Sequence, residues 1–330
     1  MGHREHGRMA PWPHCFDSFI RARKMSTRRK VTGIVIGCGN HKGGVSKSTS
    51  ATYIAAALGE RNLKVLIVDC DPSAGATQIY GIEGKSFAGT SELVLRDNPD
   101  PVALAVSDGL PRNVSIIPAR TELSDVRNYI SKFQDPAGLL SRGLSHAREH
   151  WDVIIIDTPP NAQDHLTISA YLNADWFLLA AFPDMMAIRG LNEALADIAD
   201  ARRMRNPNLE VLGVVVNGVD ARTKTWHEVN EVIGNSFPGR AFSTIISRAQ
   251  AVSDATKVGK TLFQIPKFKR HPVVMQYRQL AAEIHSRITN RAAFLEGGAD
   301  AIPKIRAVGV PDAPPETEVA EEAIDAAVNG

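Results

Sequence analysis

The sequence predicts an α/β protein with one main domain, a mostly parallel sheet sandwiched between helices. Three observations predict it. Short apolar runs rich in β-branched residues recur along the chain, several of them apolar throughout rather than alternating, as strands covered on both faces must be. Longer helical stretches separate them, as parallel crossovers require. Between the first run and the first helical stretch lies the loop Cys38-Gly-Asn-His-Lys42-Gly-Gly-Val-Ser-Lys47-Ser-Thr49, where ligands bind in such sheets, outside the carboxyl ends of the strands.

The elements follow in order. Residues 1–30 hold eight Lys/Arg against two acids without periodicity, so an irregular basic extension is expected. Strands are expected at 31–37 (VTGIVIG), 63–69 (LKVLIVD), 113–119 (NVSIIPA), 151–157 (WDVIIID), 176–182 (WFLLAAF), 209–217 (LEVLGVVVN) and 241–247 (AFSTIIS). The first helix is expected over 50–58 (SATYIAAAL), and 273–291 reads as a closing helix. The main domain is therefore placed at 31–296. Residues 297–330, with seven acids against two Lys/Arg and many Pro and Ala, are expected to form a disordered tail.

Composition bounds the function. A chain of 330 residues, 44% of them apolar, can bury a substantial core. The formal net charge of +2 means that any nucleic-acid footprint must be a local patch. Cys15, Cys38 and Cys70 form no CxxC pair and no zinc spacing, which fits a reducing compartment and excludes an iron-sulfur carrier. No apolar run approaches the roughly 18 residues of a membrane span, and a cytoplasmic location is expected.

Lys47 followed by Ser48 is the usual end of a phosphate-binding loop: backbone N–H groups cradle the phosphates, the lysine reaches the β/γ oxygens and the hydroxyl ligates Mg²⁺. The ordinary pattern GxxxxGK[ST] would place glycines at 41 and 46, where this chain has His41 and Ser46. What remains is KGGxxK[ST], in which the spare Lys42 is expected to reach the phosphates held by a second subunit, the logic of an arginine finger supplied in trans. The alternative is a Gly-rich turn with two solvated lysines. A strand-to-helix junction argues against it, because the helix N-terminus adds partial positive charge.

Two strand ends carry acids. Val153 to Asp157 is an apolar strand closing on a carboxylate, the arrangement that sets an acid beside Mg²⁺, although a strand-end aspartate can also cap the next turn. Asp69 and Asp71 lie two apart on extended chain and so point to one side, one near metal and the other to orient the attacking water.

These residues resemble the ParA/Soj family of deviant Walker-A ATPases over about residues 31–291. KGGVSKST is similar to the family's KGGVGKTT, DCDPSAGAT to DxDPQGNAT, DTPPNAQDHLT to DxPPSLGxLT, and NGVDART with VGKTLFQ to its TMYDART and GKTIAQ regions. The resemblance implies a P-loop NTPase fold in a single domain, with ATP and Mg²⁺ as ligands. It makes Lys42 the signature lysine, Lys47 the phosphate lysine, Ser48 the Mg²⁺ hydroxyl, Asp71 the switch-I hydrolysis residue and Asp157 the second Mg²⁺ residue, acting through water. Gly43, Gly44, Val45 and Ser46 complete the cradle, Thr49 sits at the α-phosphate, and Asn217 is a candidate for the adenine edge or a turn former. It also implies a homodimer with ATP, non-specific DNA held by the ATP state, a ParB-type centromere-binding partner that stimulates weak hydrolysis, and a nucleoid-associated location without membrane.

The departures matter. Ser73 and Gly75 replace the family's Gln and Asn, Asn161-Ala162-Gln163 replace Ser-Leu-Gly, and Ala251 replaces an arginine used for DNA. Arg222 of DART remains, with Arg248 and Lys257 as the candidates to compensate. Arg202, Arg203, Arg205, Lys267, Lys269 and Arg270 are further basic candidates, each also readable as solvated surface charge. Asp184 and Met185-Met186 occupy the place of an acid-Tyr-Tyr segment in family members, and are also readable as a helix cap and core packing. The competing functions are a MinD-like ATPase that positions a complex at the membrane and a ParA-like positioner of a protein cargo over the nucleoid. The final twenty residues, PDAPPETEVAEEAIDAAVNG, lack Lys and Arg and disfavour a basic membrane helix.

Overall fold

The computed structural model describes residues 33–82, 88–120, 122–130, 135 and 137–303. Its strands are β1 (Ile34–Gly39), β2 (Val65–Asp69), β3 (Val114–Ile117), β4 (Val153–Asp157), β5 (Trp176–Ala181) and β6 (Glu210–Val216). The helices are α1 (Lys47–Glu60), α2 (Gly75–Ile79), α3 (Thr90–Leu95), α4 (Pro101–Leu104), α5 (Leu123–Ile130), α6 (Ala137–Ala147), α7 (His165–Asn173), α8 (Met185–Met204), α9 (Lys224–Ser236), α10 (Gln250–Lys257), α11 (Pro272–Thr289) and α12 (Arg291–Gly297). The expected basic extension at 1–30 lies outside the described residues, as does the tail beyond 303.

The six strands form one sheet in the order β3-β2-β4-β1-β5-β6, and each pairing is parallel. Alternate residues of each strand feed opposite faces, as a period of two demands. Val35, Leu66, Val68, Ile154 and Ile156 join the core under α3 to α9. Ile36, Cys38, Val65, Ile67, Val153 and Ile155 join the core under α1, α2, α10, α11 and α12. This double covering explains why β2 and β4 are apolar until their terminal aspartates.

The run at 241–247, expected as a seventh strand, does not form one. It lies beside β6 and makes isolated parallel bridges, Val214 with Ala241 and Val219 with Ser247. Phe242 N and Ile246 N donate to the Val214 and Val216 carbonyls of β6, but side chains of α11 take the neighbouring N–H groups. The Glu283 carboxylate accepts from the N–H groups of Ser243 (2.9 Å) and Thr244 (3.0 Å), and Gln276 Oε1 accepts from Ser247 N (2.9 Å). The guanidinium of Arg287 donates to the carbonyls of Leu212, Arg240 and Ala241 at 2.7–2.8 Å. Local β propensity lost to polar partners forty residues away.

The closing helix starts at Pro272, with His271 Nδ1 accepting from Val273 N, and ends at Thr289. Beyond it, α12 buries Phe294, and Ala299 N donates to Gly239 O (3.1 Å), so the chain packs on the domain inside the stretch expected to be tail. Gly239 and Gly298 both adopt positive φ and meet so closely that a Cβ on Gly298 would lie 3.0 Å from the Gly239 Cα.

Candidate nucleotide site

The register of the sheet brings three strand ends together. Cys38 of β1 pairs with Asp157 of β4, and Asp69 of β2 pairs with the same Asp157 from the other side. The loop after β1, the acid ending β4 and the Asp69–Asp71 segment therefore share one rim of the sheet.

The loop curls because two of its residues are left-handed. Gly44 has φ 74°, and a Cβ there would meet nothing within 4 Å, so glycine serves conformation rather than space. Ser46 has φ 61° and ψ 33°, which costs an L-residue about 1 kcal/mol, and this is the position where the ordinary loop carries glycine. Ser46 offers no side-chain cap to α1, so a phosphate would meet uncapped first-turn N–H groups and the positive end of a 14-residue helix. Ser46→Gly should therefore raise the stability of the nucleotide-free protein by about 0.5–1 kcal/mol without weakening nucleotide binding. A thermal melt checks the first half, and a lowered melting temperature would refute the strain.

The two lysines point to different tasks. Lys47 is buried, and its ammonium donates to the Lys42 carbonyl at 3.4 Å, over the loop itself. The Lys42 ammonium leaves the loop and meets both carboxylate oxygens of Asp184, just past β5, at 2.8 Å. The loop base is held by Asn40, which is buried, donates to Ala180 O (2.7 Å) and accepts from Lys42 N (2.9 Å). Sequence reading missed Asn40 and left Asp184 between the family's acid position and a helix cap. An amide and an acid at two neighbouring strand ends were the available signals. Core packing for Met185 and Met186 is also corrected: they are 54% and 72% exposed.

Asp157 is fully buried, and neither carboxylate oxygen receives a hydrogen bond of good geometry. Burial first, and the charge of Asp69 second, push its carboxyl well above the usual range; the Ser48 hydroxyl and Lys47 lie near enough to oppose that shift. An orphaned buried carboxylate beside a hydroxyl is a hard-oxygen donor pair of the kind Mg²⁺ takes, so these residues fit the ion. When bound, Mg²⁺ would neutralise charge on the phosphates.

Asp69 does not serve as the metal-side partner of Asp71. Its carboxylate accepts from Thr77 Oγ1 (2.7 Å), Thr77 N (3.0 Å) and Asp71 N (3.2 Å), and burial raises its carboxyl to about 6. It holds α2 in place. Asp71 is half-buried and accepts from the nearby Ser73 N (2.9 Å), leaving the carboxylate at the rim. Gly75 sits against Ser48: a Cβ there would lie 2.5 Å from Ser48 Oγ. The family's asparagine at this position could not be accommodated without moving Ser48 or α2. Gly43, Val45 and Thr49 fall in the loop and first turn as expected, with Val45 buried.

Asn217 is corrected. Its carboxamide is buried, donating to Ser50 Oγ (3.0 Å) and accepting from Tyr277 OH (3.0 Å), so it ties β6 to α1 and α11 instead of facing an adenine edge. The basic candidates divide. Arg222 is 90% exposed and pairs with Asp220 through two hydrogen bonds at 2.9 and 3.0 Å, holding that carboxyl down at about 2. Arg248 is also exposed and its charge reaches Asp220, so the two arginines share one surface beyond β6. Lys257, at the end of α10, pairs with Asp254 at 2.9 Å. Arg202, Arg203 and Arg205 each pair with an acid, Glu210, Asp200 and Asp135, which favours the surface-charge reading for them. Lys267, Lys269 and Arg270 are exposed. Among the described residues no helix is long and apolar enough to cross a membrane, and Cys38 and Cys70 are free and buried.

A parallel sheet with a lysine-bearing loop at a helix N-terminus and a strand-end acid beside it defines a P-loop nucleotide-binding protein. Residues 33–211 match the family described as AAA domain. The chain is 29% identical over 252 residues to the sporulation initiation inhibitor protein Soj of Bacillus subtilis, covering 76% of this chain and 98% of that protein. It is equally 29% identical, over 264 residues, to the chromosome-partitioning ATPase Soj of Thermus thermophilus, covering 79% and 98%. Among solved structures, cobyrinic acid a,c-diamide synthase from Mycobacterium smegmatis with bound ATP analogue and magnesium superposes with a TM-score of 0.65 at 24% identity, covering 78% of this chain and 97% of that one, which speaks for the fold. The chain belongs to the AAA-domain family and, within it, to the ParA/Soj group of ATPases.

Proposed function

We propose that this chain is a partition ATPase that binds ATP with Mg²⁺, pairs with a second copy, holds non-specific DNA in that state and releases it on hydrolysis stimulated by a ParB-type partner. The observation that carries this reading is the divergence of the two lysines. Lys47 stays over its own loop, whereas Lys42 stands off on Asp184, 34% exposed and free to exchange that partner for a phosphate across a dimer interface. In the paired state Lys42 of the second copy stabilises charge on the transferred phosphate, Asp71 orients the attacking water, and Ser48 with Asp157 holds the metal side.

DNA binding follows from pairing, because two copies double the number of phosphate contacts, and affinity scales steeply with that number. Arg222 and Arg248 supply the contacts on each copy, with Lys257 at the edge. Retention on random-sequence DNA should require ATP and fail with ADP, and Lys42→Ala should abolish the ATP dependence. Arg222→Ala should weaken binding uniformly across sequences and reduce the salt slope by about 1. DNA binding that ignored both nucleotide and Lys42 would overturn the reading.

A further inference from the structure

Position 41 breaks the ordinary phosphate loop by placing a histidine where glycine is usual, and the structure gives that histidine an occupation. The ring is 13% exposed, with Nε2 2.7 Å from Asp197 Oδ2 and Nδ1 3.6 Å from Glu193 Oε2. The Asp197 oxygen lies close to the ring nitrogen but off the ideal hydrogen-bond direction. On the other side the Tyr171 hydroxyl of α7 is 3.4 Å from Nε2, and Tyr171 itself stacks on Phe177 with ring centres 4.4 Å apart. Arg189 pairs with the outer face of Glu193 (3.3 Å), and Asp200 adds negative charge behind Asp197.

Gly190, Glu193 and Asp197 follow at intervals of three and four and so share one face of α8. That face is the side wall of the loop. Gly190 comes so close to Asn40 that a Cβ on it would lie 2.4 Å from Asn40 Oδ1 and 3.5 Å from the Lys42 amide nitrogen. Asp184, which holds the Lys42 ammonium, sits just before the same helix. When Lys42 leaves Asp184 for a phosphate, His41 and Asn40 still bind the loop to the sheet and α8.

We propose that His41 is a positioning residue: its ring, clamped between Asp197 and Glu193, fixes the Lys42 loop against α8 so that the loop amides stay aimed at the phosphates. The proposal rests on the reading of residues 42–49 as a phosphate cradle. A loop without this anchor must be ordered by the nucleotide itself, and that cost appears as lost affinity.

The test is titration of a fluorescent ATP analogue with Mg²⁺ into the full chain, alongside thermal melts without nucleotide. His41→Gly, which restores the ordinary motif, and Asp197→Asn should each weaken nucleotide binding roughly 5- to 20-fold, and the double variant should be no worse than the weaker single variant. His41→Gln, which keeps a donor toward Asp197, should recover most of the affinity. Asp197→Asn, at a partly exposed position of α8, keeps the experiment informative if a loop variant folds poorly. Wild-type affinity in His41→Gly, or additive losses in the double variant, would overturn the anchor. Lys47→Ala separates the two readings. If it abolishes binding while the His41 variants bind normally, only the anchor fails. If it too binds normally, the cradle fails and the anchor with it.

Discussion

Asp157→Asn should make the nucleotide-free protein more stable by about 1–3 kcal/mol while reducing Mg²⁺-dependent ATP hydrolysis at least ~100-fold. The two effects have one cause. A carboxylate that is fully buried and receives no well-formed hydrogen bond carries a desolvation cost in the free protein. Asparagine keeps the shape and removes the charge, and with it the hard anionic oxygen that suits Mg²⁺. The sign with pH follows from linkage. Burial raises the Asp157 carboxyl, so the folded protein holds its proton more tightly than the unfolded chain does. Stability of the free protein then falls as pH rises from the ordinary carboxylate range through the raised value. Asp69, also raised, contributes in the same direction, so the variant should show a shallower fall and not a flat one. Thermal melts across pH and a phosphate-release assay read both effects. Hydrolysis at the wild-type rate would remove Asp157 from the metal site.

Arg287→Ala should cost about 3–5 kcal/mol, a large part of the stability of an ordinary domain. Arg287 is 1% exposed and serves three carbonyls, while its guanidinium stacks 3.8 Å above Phe242 and 4.9 Å from Phe294. Burial lowers its pKa to about 10, which still leaves it charged at neutral pH. Room for it is made at Gly213, beside the bulge in the β5–β6 pairing, where a Cβ would lie 2.3 Å from the guanidinium. Truncation removes a donor from three carbonyls, of which Arg240 O keeps Val214 N, and leaves the 240–247 segment tied to α11 through Glu283 and Gln276 alone. Since Arg248 follows directly, DNA retention should weaken as stability does. Arg287→Lys should rescue little, because a single ammonium cannot fork to carbonyls on two segments. A chemical-denaturation midpoint within error of wild type for Arg287→Ala would show that the segment is held by other contacts.

What is legible in the residues follows the range of the forces. β1 to β6, α1 and α11 were legible because uninterrupted β-branched runs and helical periodicity are local signals, and burial on both faces leaves its mark in each strand separately. The loop was legible for the same reason: residues 42–49 are contiguous, and their spacing alone specifies a cradle at a strand-to-helix junction. The 241–247 run carried the same local signal as a strand, yet Glu283 and Arg287 had already claimed its backbone. Asn217 looked available at a strand end, yet Ser50 and Tyr277 occupied its amide. No periodicity reports such claims, because the competitors lie 39 to 167 residues away in the chain.

By itself, then, the sequence determined the architecture and the identity of the phosphate loop, since both are written in neighbouring residues. Tertiary structure alone decided that Lys42 rests on Asp184, that the Asp157 carboxylate is left without a well-formed hydrogen bond, that Asp69 serves α2 and that His41 meets α8. Each of those outcomes depends on which distant groups the parallel sheet brings to one rim, and on which of them finds its charge or hydrogen bond satisfied there first.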